Sequence, residues 1–375
     1  MENIKSENRI FGGYQPKTAL VLIFSVAILL SALTPLFFEV PVFCGVALFI
    51  SVALILMTAR DVLPVCGILL PALLELMATG NLSLPAIYVG VIFAVAATAY
   101  LTLVGRWYFA LGAAIIAYAC GAYLLGWAAA LAALAAVALG FLFAFMLPRC
   151  GIGATSGICA LILSAGGVAV FIALGGDLSS VGGSIRTYVT DLYMSINEQF
   201  YIIEEETAEM IAAYLVNILP ALLFTAISAV CYLAASLTTS LLNSSGLGEE
   251  IPDEMKILSI APINGFIFLA CFFLSAAFSI EGGELEMWGA VCDNIVVALA
   301  LPFTVLGIQT AHSFLINKLF AAMPARRKVA GAAIALICII ATSIAFAFFM
   351  SLGTAKSLMP FYSALAKKIK SKINR

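Results

Sequence analysis

Charge is scarce in this chain: 10% of its 375 residues are Asp, Glu, Lys or Arg, and histidine occurs once. That poverty excludes an ordinary soluble domain, in which only about half the residues are apolar. Catalytic signatures are missing as well. There is no H-E-x-x-H, no Walker A sequence and no Gly-rich dinucleotide loop. Gly153-Ala154-Thr155-Ser156-Gly157 stands one glycine short of the G-x-S-G of an intramembrane serine protease, and Glu205-Glu206 is not followed by the arginine of E-E-x-x-x-R. No basic, aromatic-interleaved surface for nucleic acid is present. These absences argue against an enzyme and against a cofactor. The lone His312 cannot build a metal site without cysteine or carboxylate partners, and none is spaced to help it. Nine cysteines occur, an odd count with no C-x-x-C, and nearly all lie inside apolar runs. They are expected to be small buried hydrophobes.

What the chain has in abundance is apolar sequence: 64% of its residues, at a mean hydropathy of +1.14. About 20 apolar residues cross the ~30 Å hydrocarbon core as a helix, and backbone groups in lipid must be satisfied internally. The expected fold is all-α, a polytopic transmembrane helix bundle of about 11 spans. The spans are expected near 18–37, 42–59, 62–79, 84–104, 107–125, 127–148, 152–175, 208–241, 257–280, 287–318 and 329–353. Asp61 and Ser83 are expected to cap the third and fourth, with Pro64 and Pro85 in their first turns. The two longest spans, 208–241 and 287–318, carry Pro220 and Pro302, which tend to kink a helix.

The organisation follows from these runs. Residues 1–17 are a polar segment, 18–175 a first bundle of seven spans, and 208–353 a second bundle of four. Between the bundles, 176–207 places Ile185, Val189, Leu192, Ile196, Phe200 and Ile203 on one helical face, with Tyr188, Tyr193 and Tyr201 suited to the headgroup level. It is expected to lie in the membrane interface. The tail, 354–375, is apolar at Leu358, Tyr362, Leu365, Ile369 and Ile373 and otherwise lysine-rich, a pattern suited to anionic lipid.

With the N-terminus in the cytoplasm, the inner loops collect Lys5, Arg9, Lys17, Arg60, Arg106, Arg149, Lys256, Lys318, Arg326, Arg327 and Lys328, against Arg186 outside. The basic tail, one crossing beyond the Arg326 loop, runs against that bias. The expected location is a bacterial cytoplasmic membrane.

Polar side chains inside apolar helices are functional candidates, because each costs a few kcal/mol at the bilayer centre. Glu75 lies deep in the third span, on the face that also carries Asp61. The tenth span holds Asp293, Asn294, Gln309 and His312. Asn294 and His312 share a face near opposite ends, and Gln309 and His312 are neighbours at i, i+3. Glu75, Asn294, Gln309 and His312 are the candidate ligand-binding residues, with helix–helix hydrogen bonding as the competing explanation. Ala128, Ala132, Ala136, Gly140 and Ala144 form a small-xxx-small stripe. It suits close packing, either within the bundle or against a partner helix.

From Glu204 onward the order of features resembles the YybS-type family of bacterial membrane proteins. The resemblance rests on Asn217-Ile218-Leu219-Pro220-Ala221-Leu222, on Asn243-Ser244-Ser245-Gly246, and on a Pro252-containing link. It continues through Leu306-Gly307-Ile308-Gln309-Thr310-Ala311-His312-Ser313-Phe314 to a span ending Leu352-Gly353, followed here by Thr354-Ala355-Lys356. That family is distantly similar to the substrate-binding subunits of energy-coupling-factor vitamin transporters, which dock a partner through A-x-x-x-A stripes. The resemblance implies a substrate-binding or permease-like subunit for small-molecule uptake without its own ATPase. Its partners would be the lipid bilayer and a transport ATPase module or another membrane protein. The alternative is a non-transporting scaffold of an envelope-associated complex.

Overall fold

The computed structural model describes residues 16–373, apart from 38, 59–61, 126, 174, 178–179, 189, 192–204, 248, 253–254, 257, 282–283 and a set of positions within 325–343. Residues 1–15 of the polar N-terminal segment and half of the 176–207 segment lie outside the described residues, although 180–188 is helical. Every described element is a helix. They run α1 (Thr18–Leu33), α2 (Pro41–Thr58), α3 (Val62–Thr79), α4 (Ser83–Leu103), α5 (Trp107–Leu125), α6 (Trp127–Ala173), α7 (Glu205–Asn217), α8 (Leu219–Leu242), α9 (Pro262–Glu281), α10 (Glu284–Phe314) and α11 (Ala345–Ile373).

Six described stretches are long and apolar enough to cross a membrane: Thr18–Phe37, Pro41–Thr58, Ser83–Leu103, Leu134–Ala173, Leu219–Leu247 and Met287–Leu319. Three further apolar helices, Pro64–Thr79, Trp107–Tyr123 and Pro262–Phe278, are shorter. The chain is a multi-pass integral membrane protein. The expected count of eleven spans is not confirmed: six described stretches meet the length and three apolar helices fall short of it. The expected break between the 127–148 and 152–175 spans is present inside α6, where two helices meet across a kink at Gly151, at φ 74° and ψ 175°. The 208–241 span is split into α7 and α8 at Ile218, two residues before Pro220. The 329–353 stretch is not one continuous helix where it is described, and α11 instead runs on through Gly353 to Ile373. The basic tail is therefore the end of α11 and not a separate element.

Helix ends follow local chemistry. Ser83 is the first residue of α4 and not its cap; the Asn81 side-chain oxygen accepts the Ser83 N–H at 2.9 Å. At the other end Gly105 adopts φ 75°, and its N–H and that of Arg106 donate to the carbonyls of Thr102 and Leu101. This closure needs a left-handed residue, which is why glycine stands there.

The described structure divides into two compact units, each drawing on both halves of the chain. The first comprises Met1–Cys159 and Ala229–Ile257. Its centre is α4, which is apolar on every side and buried along nearly its whole length, as such a helix must be. Phe24 of α1 meets Phe93 and Tyr100 edge-on at 5.8 and 5.6 Å. The Tyr100 hydroxyl hydrogen-bonds the Ser245 hydroxyl at 2.8 Å. Gly140 of α6 lies so close to α4 that a Cβ there would stand 2.8 Å from Thr98 Cγ2 and 2.9 Å from the Val95 carbonyl oxygen. Ala144, one turn on, is buried. This end of the small-residue stripe thus packs inside the chain, whereas the side chains of Ala128 and Ala132 lie outside the described residues. Gly140→Leu is expected to destabilise the protein by roughly 2–3 kcal/mol, since overpacking a close contact usually costs 1–3 kcal/mol. A detergent-solubilised variant with an unchanged unfolding midpoint would contradict that packing.

The second unit comprises Ala160–Ser228 and Leu258–Arg375. Here α10 is flanked by α9 and α11. Phe268 of α9 packs against Phe303 at 5.1 Å, and Gly265 of α9 sits under Ser357 and Leu358 of α11. Ala311, Leu315, Ala332, Leu336, Ala345 and Phe349 form one buried apolar cluster at the C-terminal end of α10. Contact of Gly307 with Phe349, and of Gly353 with Phe303, makes α10 and α11 antiparallel at a crossing of backbone on backbone.

Candidate intramembrane polar site

Pro220 has no N–H to offer the Val216 carbonyl, so a helix continuing through it loses a rung. The chain breaks at Ile218, and the carboxamide of Asn294 on α10 enters the break. Its Oδ1 accepts the Ala221 N–H at 3.1 Å, and its Nδ2 donates to the Asn217 carbonyl at 2.9 Å. Asn217 and Ala221 are i, i+4 partners that would bond each other in an unbroken helix. The side chain replaces that rung with two hydrogen bonds of its own. Its second amide hydrogen goes to the Ala290 carbonyl at 2.8 Å. One turn further along, the Thr225 hydroxyl donates to the Val297 carbonyl at 3.3 Å. Asn294 is therefore a splice that ties α7 and α8 to α10.

Gln309 has a similar role at the other end of α10. Its Oε1 accepts the Leu258 N–H at 3.2 Å and so holds the extended segment leading into α9. His312 is half-buried in the last turn of α10, where a cation would complement the helix dipole. It has no hydrogen-bond partner among the described residues. Glu75 is half-buried on α3 and belongs to the first unit, apart from the other three candidates. Only its backbone carbonyl makes a hydrogen bond among the described residues, accepted from the Thr79 hydroxyl at 2.9 Å. Asp61 lies outside the described residues.

Asp293, beside Asn294 and outside the four candidates, makes its own contacts across helices. Ser275 of α9 donates its hydroxyl hydrogen to Asp293 Oδ1. Tyr214 of α7 is near enough for the Asp293 charge to act on its hydroxyl. One turn away on α9, the buried Cys271 thiol lies beside the buried Cys292 thiol of α10. Three helices thus converge on a half-buried carboxylate in the membrane-length stretch Met287–Leu319. The sequence signal was present, an aspartate beside Asn294 on the same span, but the i, i+3 and i+18 arithmetic favoured its neighbours.

No protein-family model, curated protein or solved structure matches this chain. Chemically, the site offers an acceptor carboxylate, two hydroxyls and a spliced helix. Among the described residues no group of three or more His, Cys, Asp or Glu side chains is placed to hold a metal ion.

Proposed function

We propose that this membrane protein is a substrate-binding or permease-like subunit for small-molecule uptake, driven by an ATPase on another chain. The carrying observation is the interruption between α7 and α8, spliced by Asn294, with the Asp293 carboxylate next to the splice. Interrupted helices are where transporters place solute and ion sites. A charge inside an apolar helix costs roughly 2.5–3.5 kcal/mol or more and is a functional residue by default. The proposal places the protein in a bacterial cytoplasmic membrane with its N-terminus inside, and keeps the resemblance to the YybS-type family as part of the same reading.

A second reading has its own support. Asn294 spends its whole amide on backbone and Gln309 its side-chain oxygen, as they would in a rigid scaffold of an envelope-associated complex. Purification of the tagged full chain from its native membrane in mild detergent, with mass spectrometry of what accompanies it, separates the two. Recovery of an ATPase and a coupling membrane subunit supports uptake. Recovery of envelope-assembly proteins without an ATPase replaces it with the scaffold. Under the uptake reading, Glu75→Gln and His312→Ala are expected to leave membrane abundance unchanged while lowering transport by the recovered complex. Unchanged transport in both would remove Glu75 and His312 from the site.

A further inference from the structure

We propose that the break in α6 at Gly151 is a binding site for an oxyanion, a carboxylate or phosphate group held by the helix N-terminus beyond the break and by the Thr155 hydroxyl. Two helices meet there across a kink, inside the apolar stretch Leu134–Ala173. The first turn of a helix has N–H groups without intrahelical acceptors, and together they favour negative charge. Gly151 and Gly153 put no Cβ over this turn, so an anion can come close to its backbone.

A second observation is independent of the first. Thr155 is 0% exposed, and its Oγ1 is buried with no hydrogen-bond partner among the described residues. The break explains why. A hydroxyl in an apolar helix ordinarily donates to the carbonyl four residues back, as Ser156 does to Ile152 at 2.8 Å. For Thr155 that residue is Gly151, where the backbone is not helical. Side chains lean toward the N-terminus of their helix, so the hydroxyl is directed at the first turn. A buried donor without an acceptor is destabilising, and an oxyanion at the first turn supplies one. One turn on along the same face, the buried Cys159 is within electrostatic reach of the buried Cys231 on α8, so this face looks into the protein.

Charge selects the sign of the ligand. From Leu76 to Gly176 the sequence has no Asp or Glu, and its charged residues are Arg106 and Arg149. The α8 helix has no charged residue at all. Arg149, two positions before the break, donates to the Phe145 carbonyl and so covers the negative end of the helix that finishes there. The positive end of the next helix is what remains for a ligand, which favours an anion over a cation.

The site stands apart from Asp293 and from the uptake proposal, and its test does not depend on transport. Full-length protein is purified in uncharged detergent, and its thermal unfolding midpoint is followed against sodium phosphate and, separately, sodium acetate. Sodium chloride at matched ionic strength is the reference. The expected result is a saturable rise with at least one oxyanion that chloride does not produce. Thr155→Val keeps the shape and removes the donor. It is expected to need at least about tenfold more of that anion for the same rise, the usual scale for a hydrogen bond to a charged group. Thr155→Ser keeps the hydroxyl and is expected to keep the response, and Thr155→Ala takes the place of Thr155→Val if the latter does not accumulate. A further titration uses short-chain phosphatidylglycerol. Saturation by the lipid, with phosphate unable to add to it, makes the source a lipid headgroup; a response to phosphate or acetate without the lipid makes it a free anion. Either arm supports the site. No rise with phosphate, acetate or the lipid, or the same rise in Thr155→Val as in the parent protein, would overturn the proposal.

Discussion

Gly353→Val is expected to abolish the native contact between α10 and α11 and to lower stability by about 3 kcal/mol or more, at or beyond the upper end of overpacking costs. The reason is that nothing near this glycine can rotate away. A Cβ on Gly353 would fall on the Phe303 carbonyl, 2.8 Å from its carbon and 2.9 Å from the Gly307 nitrogen. A Cβ on Gly307 would fall on the Phe349 carbonyl, 2.6 Å from its carbon and 2.9 Å from its Cα. These are backbone atoms of intact helices, so relief requires the helices to separate. Separation would also expose the flanking rings of Phe303 and Phe349, which are 0% and 1% accessible. Small residues serve this purpose in membranes, where association rests on close packing and not on the expulsion of water. Gly307→Val should behave alike. Because both act on one crossing, the double variant should be much less destabilised than the sum, since the first substitution already moves the helices apart. Gly112→Ala is the control, as no atom lies within 4 Å of a Cβ there. Thermal unfolding in detergent checks all four; additive losses, or a Gly353→Val protein as stable as Gly112→Ala, would refute the crossing.

The second large effect is expected at Asn294, and it depends on which atoms replace the amide. Asn294→Leu removes the splice, yet the Asn217 carbonyl and Ala221 N–H are i, i+4 partners and can close on each other. The loss should therefore be moderate, about 1–2 kcal/mol, near the upper end measured for hydrogen bonds between membrane helices. Asn294→Asp keeps the shape and is worse. It presents acceptor oxygens to the carbonyls of Asn217 and Ala290, which need donors, and it sets a second carboxylate beside Asp293. An unmatched polar group costs about 1–3 kcal/mol when buried and more when charged; the Ala290 carbonyl is part-buried and Asn217 is exposed, so a loss of about 2–3 kcal/mol is expected. Unfolding midpoints in detergent that rank Asp as milder than Leu would show that the amide does not bridge the break.

Helical spans were legible because apolar runs in lipid have few alternatives: the ends of α2, α3, α4 and α5 fall within a residue or two of expectation. The break at Pro220 was visible as a kink for the same covalent reason. What one sequence could not convey is which polar atom meets which. Asn294 and Gln309 were singled out by spacing along their own helix, and their partners, Asn217, Ala221 and Leu258, lie on segments joined to them only by folding. Gly353 was legible as an ending and Gly307 as part of a motif. Their common spacing, each four residues after a phenylalanine, is meaningful only once α10 and α11 are known to run antiparallel. The stretch 329–353 failed for a different reason. Its composition is apolar enough to span, but composition does not say where a helix begins, and α11 begins at Ala345.

Asn294 holds the fold and, in the proposed function, its neighbour Asp293 carries the chemistry; the stability of Asp293→Asn separates those roles most directly. The substitution keeps an acceptor for the Ser275 hydroxyl and removes a half-buried charge that no basic side chain offsets among the described residues. Residues kept for function at the expense of stability become neutral or stabilising when replaced in this way. Measured beside Asn294→Asp in the same detergent, Asp293→Asn is predicted to unfold at or above the temperature of the parent protein. An Asp293→Asn midpoint as depressed as that of Asn294→Asp would make Asp293 one more structural tie and contradict the assignment of the site.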